Sequence, residues 1–116
     1  MVMERQIIQT KAFEKEVHSL ISKRKLRLED FEDFKKSLVE LPDQGDVIPG
    51  TGGIRKARLK SASKGKRGGF RVCYLNIEEK LILFLLFVYP KNEQENLSSQ
   101  EKIELKLLAE TIKRSV

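Results

Sequence analysis

Residues 54–89 read IRKARLKSASKGKRGGFRVCYLNIEEKLILFLLFVY, and their patterning decides the fold. Apolar residues recur at every second position at Ala57 and Leu59 within 54–59 and at Phe70, Val72 and Tyr74 within 70–77, the period of two that sends successive strand side chains to opposite faces. Residues 81–89 are apolar without alternation, which suits a central strand covered on both faces. The stretch 61–69, rich in Gly, Ser and Lys, and the polar 78–80 read as turns. Three consecutive strands joined by short loops pair antiparallel.

On the N-terminal side, residues 3–8 are β-compatible and predict a first strand. Thr10 can cap a helix over 11–22, with Phe13, Val17, Leu20 and Ile21 on one face. After a basic turn at 23–27, Leu28, Phe31, Phe34, Leu38 and Leu41 mark a second helix, stopped by Pro42. Residues 43–53 hold four of the seven glycines and are short enough to connect elements within one domain. On the C-terminal side, Pro90 ends the last strand and Ser98-Ser99-Gln100-Glu101 forms a capping-box pattern. It opens a helix whose stripe is Leu105, Leu108, Ala109 and Ile112. The order β-α-α-β-β-β-α predicts an α+β fold. Its expected form is one domain over residues 1–116, a small antiparallel sheet with two N-terminal helices and one C-terminal helix.

Composition narrows the function classes. A chain of 116 residues, 40% hydrophobic, supports one modest core, so chemistry must sit on an open surface or in a shallow cleft. Cys73 is the only cysteine, which leaves no intrachain disulfide and no cysteine-based zinc site. We expect no metal and no cofactor. Residues 1–10 include Glu4 and Arg5 and lack the apolar core of a signal peptide. The longest apolar run is nine residues, where a membrane helix needs about 20. No helix sets a basic face beside a strongly apolar one, so membrane association is not expected. These features predict a soluble, cytoplasmic protein.

The net charge of +6 is placed unevenly. Between Gly53 and Leu75 lie eight basic residues and no acid, while the other 93 residues hold 15 basic and 17 acidic side chains. One hairpin therefore carries the whole excess, as expected of a surface for a polyanion. If Ala57 and Leu59 face the core, Lys56 and Arg58 face away. On the partner strand Phe70, Val72 and Tyr74 suit the core, which turns Arg71 and Cys73 outward with that pair. Lys91, just past the last strand, can reach the same surface. Gly65, Gly68 and Gly69 would let backbone N–H groups approach a phosphate. Gly50-Thr51-Gly52-Gly53 lacks the lysine-serine/threonine pair of a Walker loop.

Three segments, Gly45-Asp46-Val47-Ile48-Pro49-Gly50-Thr51-Gly52-Gly53-Ile54-Arg55-Lys56, Lys64-Gly65-Lys66-Arg67-Gly68-Gly69-Phe70-Arg71-Val72-Cys73-Tyr74 and Phe87-Val88-Tyr89-Pro90-Lys91-Asn92-Glu93, resemble the HigB branch of RelE-type toxins. The resemblance runs from Gly45 to the C-terminus. It implies a microbial RNase-type fold and a ribosome-dependent mRNA endoribonuclease neutralised by a cognate antitoxin. It also implies a metal-free reaction, in which the ribose 2′-OH attacks the adjacent phosphate and leaves a 2′,3′-cyclic phosphate. By position, Lys56 and Arg58 match the paired basic residues of the first hairpin strand. Arg71 matches the arginine that grips the scissile phosphate, and Lys91 the basic residue after the last strand. The chain departs from some relatives at Asn92, where they carry arginine. It also has no tyrosine beyond Tyr74 and Tyr89.

The expected catalytic set is therefore Lys56, Arg58, Arg71 and Lys91, with Lys56 a candidate base or proton relay. Arg55, Lys60, Lys64, Lys66 and Arg67 form the expected RNA- or ribosome-binding set. Preorganised cations suit phosphodiester cleavage because negative charge builds on the phosphoryl oxygens. His18, the sole histidine, reads as a surface or structural residue. Cys73 has no neighbouring histidine to activate it as a nucleophile. Glu78, Glu79, Glu93, Glu95 and Glu101 read as loop and cap residues. Expected partners are mRNA, the ribosome and a helix-turn-helix antitoxin, with DNA reached only through the antitoxin complex. The alternative is a non-catalytic RNA- or ribosome-binding module that uses the same basic face.

Overall fold

The computed structural model describes residues 4–60, 69–91 and 97–116. Strand β1 (Gln6–Gln9) leads into helices α1 (Lys11–Ser22) and α2 (Leu28–Glu40). Strands β2 (Asp46–Val47), β3 (Arg55–Lys60), β4 (Gly69–Ile77) and β5 (Ile82–Pro90) follow, then helix α3 (Ser99–Ser115). The sheet order is β1-β5-β4-β3-β2.

The α+β class, the three helices and the antiparallel β3–β4–β5 meander are as read from the sequence. The sheet is nevertheless mixed. Strand β1 runs parallel to β5, from Gln6 opposite Ile82 to Gln9 opposite Leu85. Short loops dictate direction only between consecutive strands, and β1 reaches β5 across most of the chain, so nothing local set its sense. The middle strand is β4, with the apolar β5 beside it. The two-residue β2 is too short to show a period in sequence.

Helices α1 and α2 cover one sheet face. Phe13, Val17 and Leu20 of α1 and Phe31, Phe34 and Leu38 of α2 pack on Ala57, Leu59, Phe70, Val72, Tyr74, Leu83 and Leu85. The Phe13 and Phe31 rings meet at 6.0 Å between centroids. Thr10 fixes the start of α1: its hydroxyl oxygen accepts from the Phe13 N–H at 3.1 Å and donates to the Leu86 carbonyl at 3.0 Å. One side chain thus caps the helix and ties it to the sheet. Helix α3 covers part of the other face, where Leu105 and Ala109 pack on Ile48, Ile54, Cys73, Leu75 and Leu86. Its capping box is formed by Ser98 and Glu101, as the sequence predicts.

Strand β5 carries an irregularity that explains its lack of alternation. Cys73 lies opposite Phe87, but Tyr74 lies opposite Leu85, which leaves Leu86 as an extra residue. This bulge shifts the phase of every later side chain. Val88 therefore joins the α1/α2 core and Tyr89 the α3 side.

The connection after α2 is pinned by Tyr74. Its hydroxyl accepts from the Gly45 N–H at 2.9 Å and donates to the Pro42 carbonyl at 2.7 Å. Arg55 adds bonds from Nη1 to the carbonyls of Gly45 (2.7 Å) and Asp43 (3.3 Å). A Cβ on Gly45 would come within 2.8 Å of the Lys56 carbonyl oxygen, so only glycine lets this loop lie so close to β3. Tyr74→Phe removes both phenolic bonds and leaves a buried N–H unpaired. We expect a loss of about 1–3 kcal/mol, read as a lower urea midpoint at unchanged slope.

Candidate RNA-cleaving cleft

Strands β3, β4 and β5 lie side by side, so their register sets which side chains meet. On the α3 side of the sheet, Arg58 lies opposite Arg71, and Arg71 lies opposite Tyr89. One step along, Lys56 lies opposite Cys73, and Cys73 opposite Phe87. Directly opposed side chains have Cβ atoms about 5 Å apart. Two arginines and a lysine are thus held together by backbone pairing alone. Helix α3 stops short of them and leaves a shallow cleft of about 450 Å³ lined by Gln44, Asp46, Lys56, Arg58, Lys60 and Arg71.

Among the described residues, none of Lys56, Arg58 and Arg71 forms an ion pair, and the buried Nη1 of Arg71 has no hydrogen-bond partner. Like charges set opposite one another destabilise a sheet, and an unsatisfied buried donor adds about 1–3 kcal/mol of cost. An anion in the cleft would relieve both. Arg58 and Lys60 also border a recess against α2 that contains Asp30 and Asp33.

The other expected site residues are placed differently. Lys60 is exposed and lines the cleft. Lys91 is exposed at the end of β5, where its N–H donates to the Gly69 carbonyl at 3.1 Å, and it is not among the residues lining the cleft. Arg55 sits opposite Tyr74 and is occupied by the loop carbonyls, with Asp43 Oδ1 3.6 Å from its Nη2. Lys64, Lys66 and Arg67, with Gly65 and Gly68, lie outside the described residues, as does Asn92. His18 is exposed on α1.

Cys73 corrects the sequence reading. It shares the sheet face of Lys56 and Arg71, but it is buried, 1% exposed, because α3 covers that part of the face. Burial pushes its thiol up to about 11, against a smaller lowering by Lys56. Tyr89, pushed up to about 12 chiefly by burial, feels Cys73, Arg71 and Glu101. Its phenol therefore keeps its proton at neutral pH. Sequence reasoning passed over Tyr89, Asp46 and Gln44. Asp46 lies opposite Lys56, a pairing visible only once β2 is known to exist. No group of three or more His, Cys, Asp or Glu side chains gathers as a metal site among the described residues. None of the helices described is long and apolar enough to cross a membrane.

Fold and cleft together define a small α+β protein with helices on both faces of a mixed sheet and a cleft in which cations outnumber the one carboxylate, Asp46. Residues 5–115 match the family model described as RelE toxin of the RelE/RelB toxin–antitoxin system, and the chain belongs to that family. Membership brings an antitoxin partner. A free-state structure of a double-mutant E. coli toxin RelE aligns at a TM-score of 0.50 and 22% identity, covering 98% of this chain and 100% of that one. That likeness is one of fold.

The raised thiol of Cys73 has a measurable consequence. In folded protein at pH 8.5, the rise from 9.0 to about 11 alone cuts the thiolate population by more than an order of magnitude. Iodoacetamide should therefore label Cys73 slowly in the native state and readily in urea. Because the native state favours the neutral thiol, this group's contribution to stability is complete below about pH 9 and declines as pH rises toward 11. Fast native labelling would contradict the buried placement.

Proposed function

We propose that this chain is the mRNA endoribonuclease of a toxin–antitoxin pair, a single domain that cuts messages on the ribosome in the cytoplasm and so inhibits translation. The observation that supports this best is the opposed pair Arg58 and Arg71 beside Lys56, held in one cleft with none of the three in an ion pair among the described residues, although Asp46 also lines it. Such an arrangement is costly in the free protein and stabilising once negative charge develops on a phosphoryl group.

In this reading Arg71, with its unpartnered Nη1, grips a non-bridging oxygen of the scissile phosphate, and Arg58 neutralises the other. Lys56 relays the proton of the ribose 2′-OH, releasing one of its own ammonium protons toward the departing oxygen or solvent as it accepts that one. The new O2′–P bond forms as the P–O5′ bond breaks. The departing 5′ oxygen is protonated, and the products are a 2′,3′-cyclic phosphate and a 5′-hydroxyl. The charge stabilisation comes from side chains, without a metal. Lys60 and Lys91 extend the basic surface toward flanking phosphates or ribosomal RNA, and Lys64, Lys66 and Arg67 complete the proposed RNA- or ribosome-binding set by their charge. Arg55 contributes by holding the loop that carries Asp46. The antitoxin is a helix-turn-helix protein, and contact with DNA runs through it.

Expression of the chain alone should arrest bacterial growth, and Lys56→Ala with Arg71→Ala should relieve the arrest. In a translation system reconstituted from purified components, the double variant should cut at least about a hundredfold more slowly with its melting temperature nearly unchanged. Undiminished cleavage by a folded double variant would remove this site assignment. Ribosome or RNA binding by the wild type without any cleavage would favour a binding module instead.

A further inference from the structure

On the α3 side of the sheet, next to the cationic cleft, lies a second recess of about 300 Å³ that the proposed reaction does not use. The buried Cys73 lies at its base, Phe87, Tyr89 and Leu105 form its walls, and Glu101 and Glu104 stand at its rim. It shares β4 with the cleft. Arg71 and Tyr89 are opposed, while Cys73 lies between Lys56 and Phe87, so the aromatic walls begin one strand spacing, about 4.8 Å, from Arg71 and two from Lys56 and Arg58. A phosphate held by Lys56 and Arg71 would therefore place the base of the same or the next nucleotide at the mouth of this recess.

Its chemistry is unlike that of the cleft. Phe87 is 41% exposed on a strand whose neighbours Leu85 and Leu86 are fully buried. The bulge at Leu86 turns its ring to the recess instead of the core. An exposed aromatic ring beside a phosphate site is a stacking platform for a base. The rim carries carboxylates, which repel phosphate and only accept hydrogen bonds. Glu101 is engaged in the helix cap, its Oε1 accepting from the Ser98 N–H at 3.0 Å. Glu104, one turn on, is exposed and takes only a long 3.4 Å bond from Gln100 among its described contacts. A carboxylate offers two parallel acceptors. Guanine alone among the four RNA bases presents two parallel donors, N1–H and N2–H, along its Watson–Crick edge.

We propose that this recess is a base-specificity pocket for a guanine flanking the scissile phosphate, stacked on Phe87 and Tyr89 and read by Glu104. The inference rests on the endoribonuclease reading and adds substrate selection to it. An apolar side chain of a partner protein would also fill an aromatic pocket, but it would leave the acidic rim without donors.

The test uses the full chain, wild type and with Glu104→Gln or Phe87→Ala, acting on a translated mRNA of mixed sequence with every cut end mapped. Wild type should cut preferentially beside guanine. Glu104→Gln should lower the ratio of guanine-flanked to other cuts about tenfold, as expected for loss of a bidentate base contact. Phe87→Ala should reduce cleavage about tenfold at guanine-flanked sites. Glu104 lies on an exposed helix position, so its variant decides the matter even if Phe87→Ala loses stability. Cuts without guanine preference, or a preference unchanged by Glu104→Gln, would overturn the pocket while leaving the nuclease reading intact. So would variants that weaken antitoxin binding and leave the cleavage pattern alone, since the recess would then seat a protein side chain. Failure of the wild type to cut any message would overturn the nuclease reading and the pocket together.

Discussion

A strand in the interior of a five-stranded sheet has two faces to bury, and here elements of unequal size bury them. Strand β4 meets α1 and α2 on one side, through Phe70, Val72 and Tyr74. On the other side Cys73, Leu75 and Ile77 join a cluster with α3 and with Ile48 and Ile54. A helix of 17 residues is about 25 Å long, and a single one does not roof a whole sheet. Where α3 ends, the same strand face that buries Cys73 presents Arg71. The part of that face that no described residue covers is the candidate site, so the site and the second core are two halves of one surface.

This division accounts for the placement of charge. A cation on a roofed face would be desolvated without a partner, at a cost of several kcal/mol. On the open half, Arg58 and Lys60 keep contact with water, and only part of Arg71 is buried. The residual strain is electrostatic: three like charges fixed by strand pairing, with no carboxylate among the described residues close enough to form an ion pair. Strand pairing fixes the spacing of their Cβ atoms, so only movement of the side chains themselves can relieve it. Preorganisation of this kind is what stabilises a developing phosphoryl charge, and it suits a member of a toxin family whose fold has little interior for buried catalytic groups.

The bulge on β5 connects the two halves. Counting outward from the tight turn, with Ile77 opposite Ile82, a regular ladder would bring Val88 to Arg71 and Leu86 to Cys73. The extra residue at Leu86 moves Tyr89 and Phe87 into those places instead. An aromatic wall thus stands beside the cations, where unbroken pairing would set aliphatic side chains. Tyr74 and Arg55 do related work at the other edge. They hold the Pro42–Gly45 turn against β3 and so bring Asp46 opposite Lys56.

The helices, their caps at Thr10 and Ser98, the β3–β4–β5 meander and the cationic cluster were all legible in the chain, because each depends on a local period or on a side chain within three residues of its target. The cluster of Lys56, Arg58 and Arg71 needed only alternation about Ala57, Leu59 and Val72. The parallel docking of β1, the burial of Cys73 and the meeting of Tyr89 with Arg71 were not legible. The first depends on a strand that joins its neighbour from the far end of the chain, and the second on how far α3 extends over the sheet. The third depends on one bulged residue in an apolar run that carries no period. Sequence alone determined which residues are cationic and which strand face they share. Only the tertiary structure decided which part of that face stays open and what stands beside the cations, because cover and register are set by packing between elements distant in the chain.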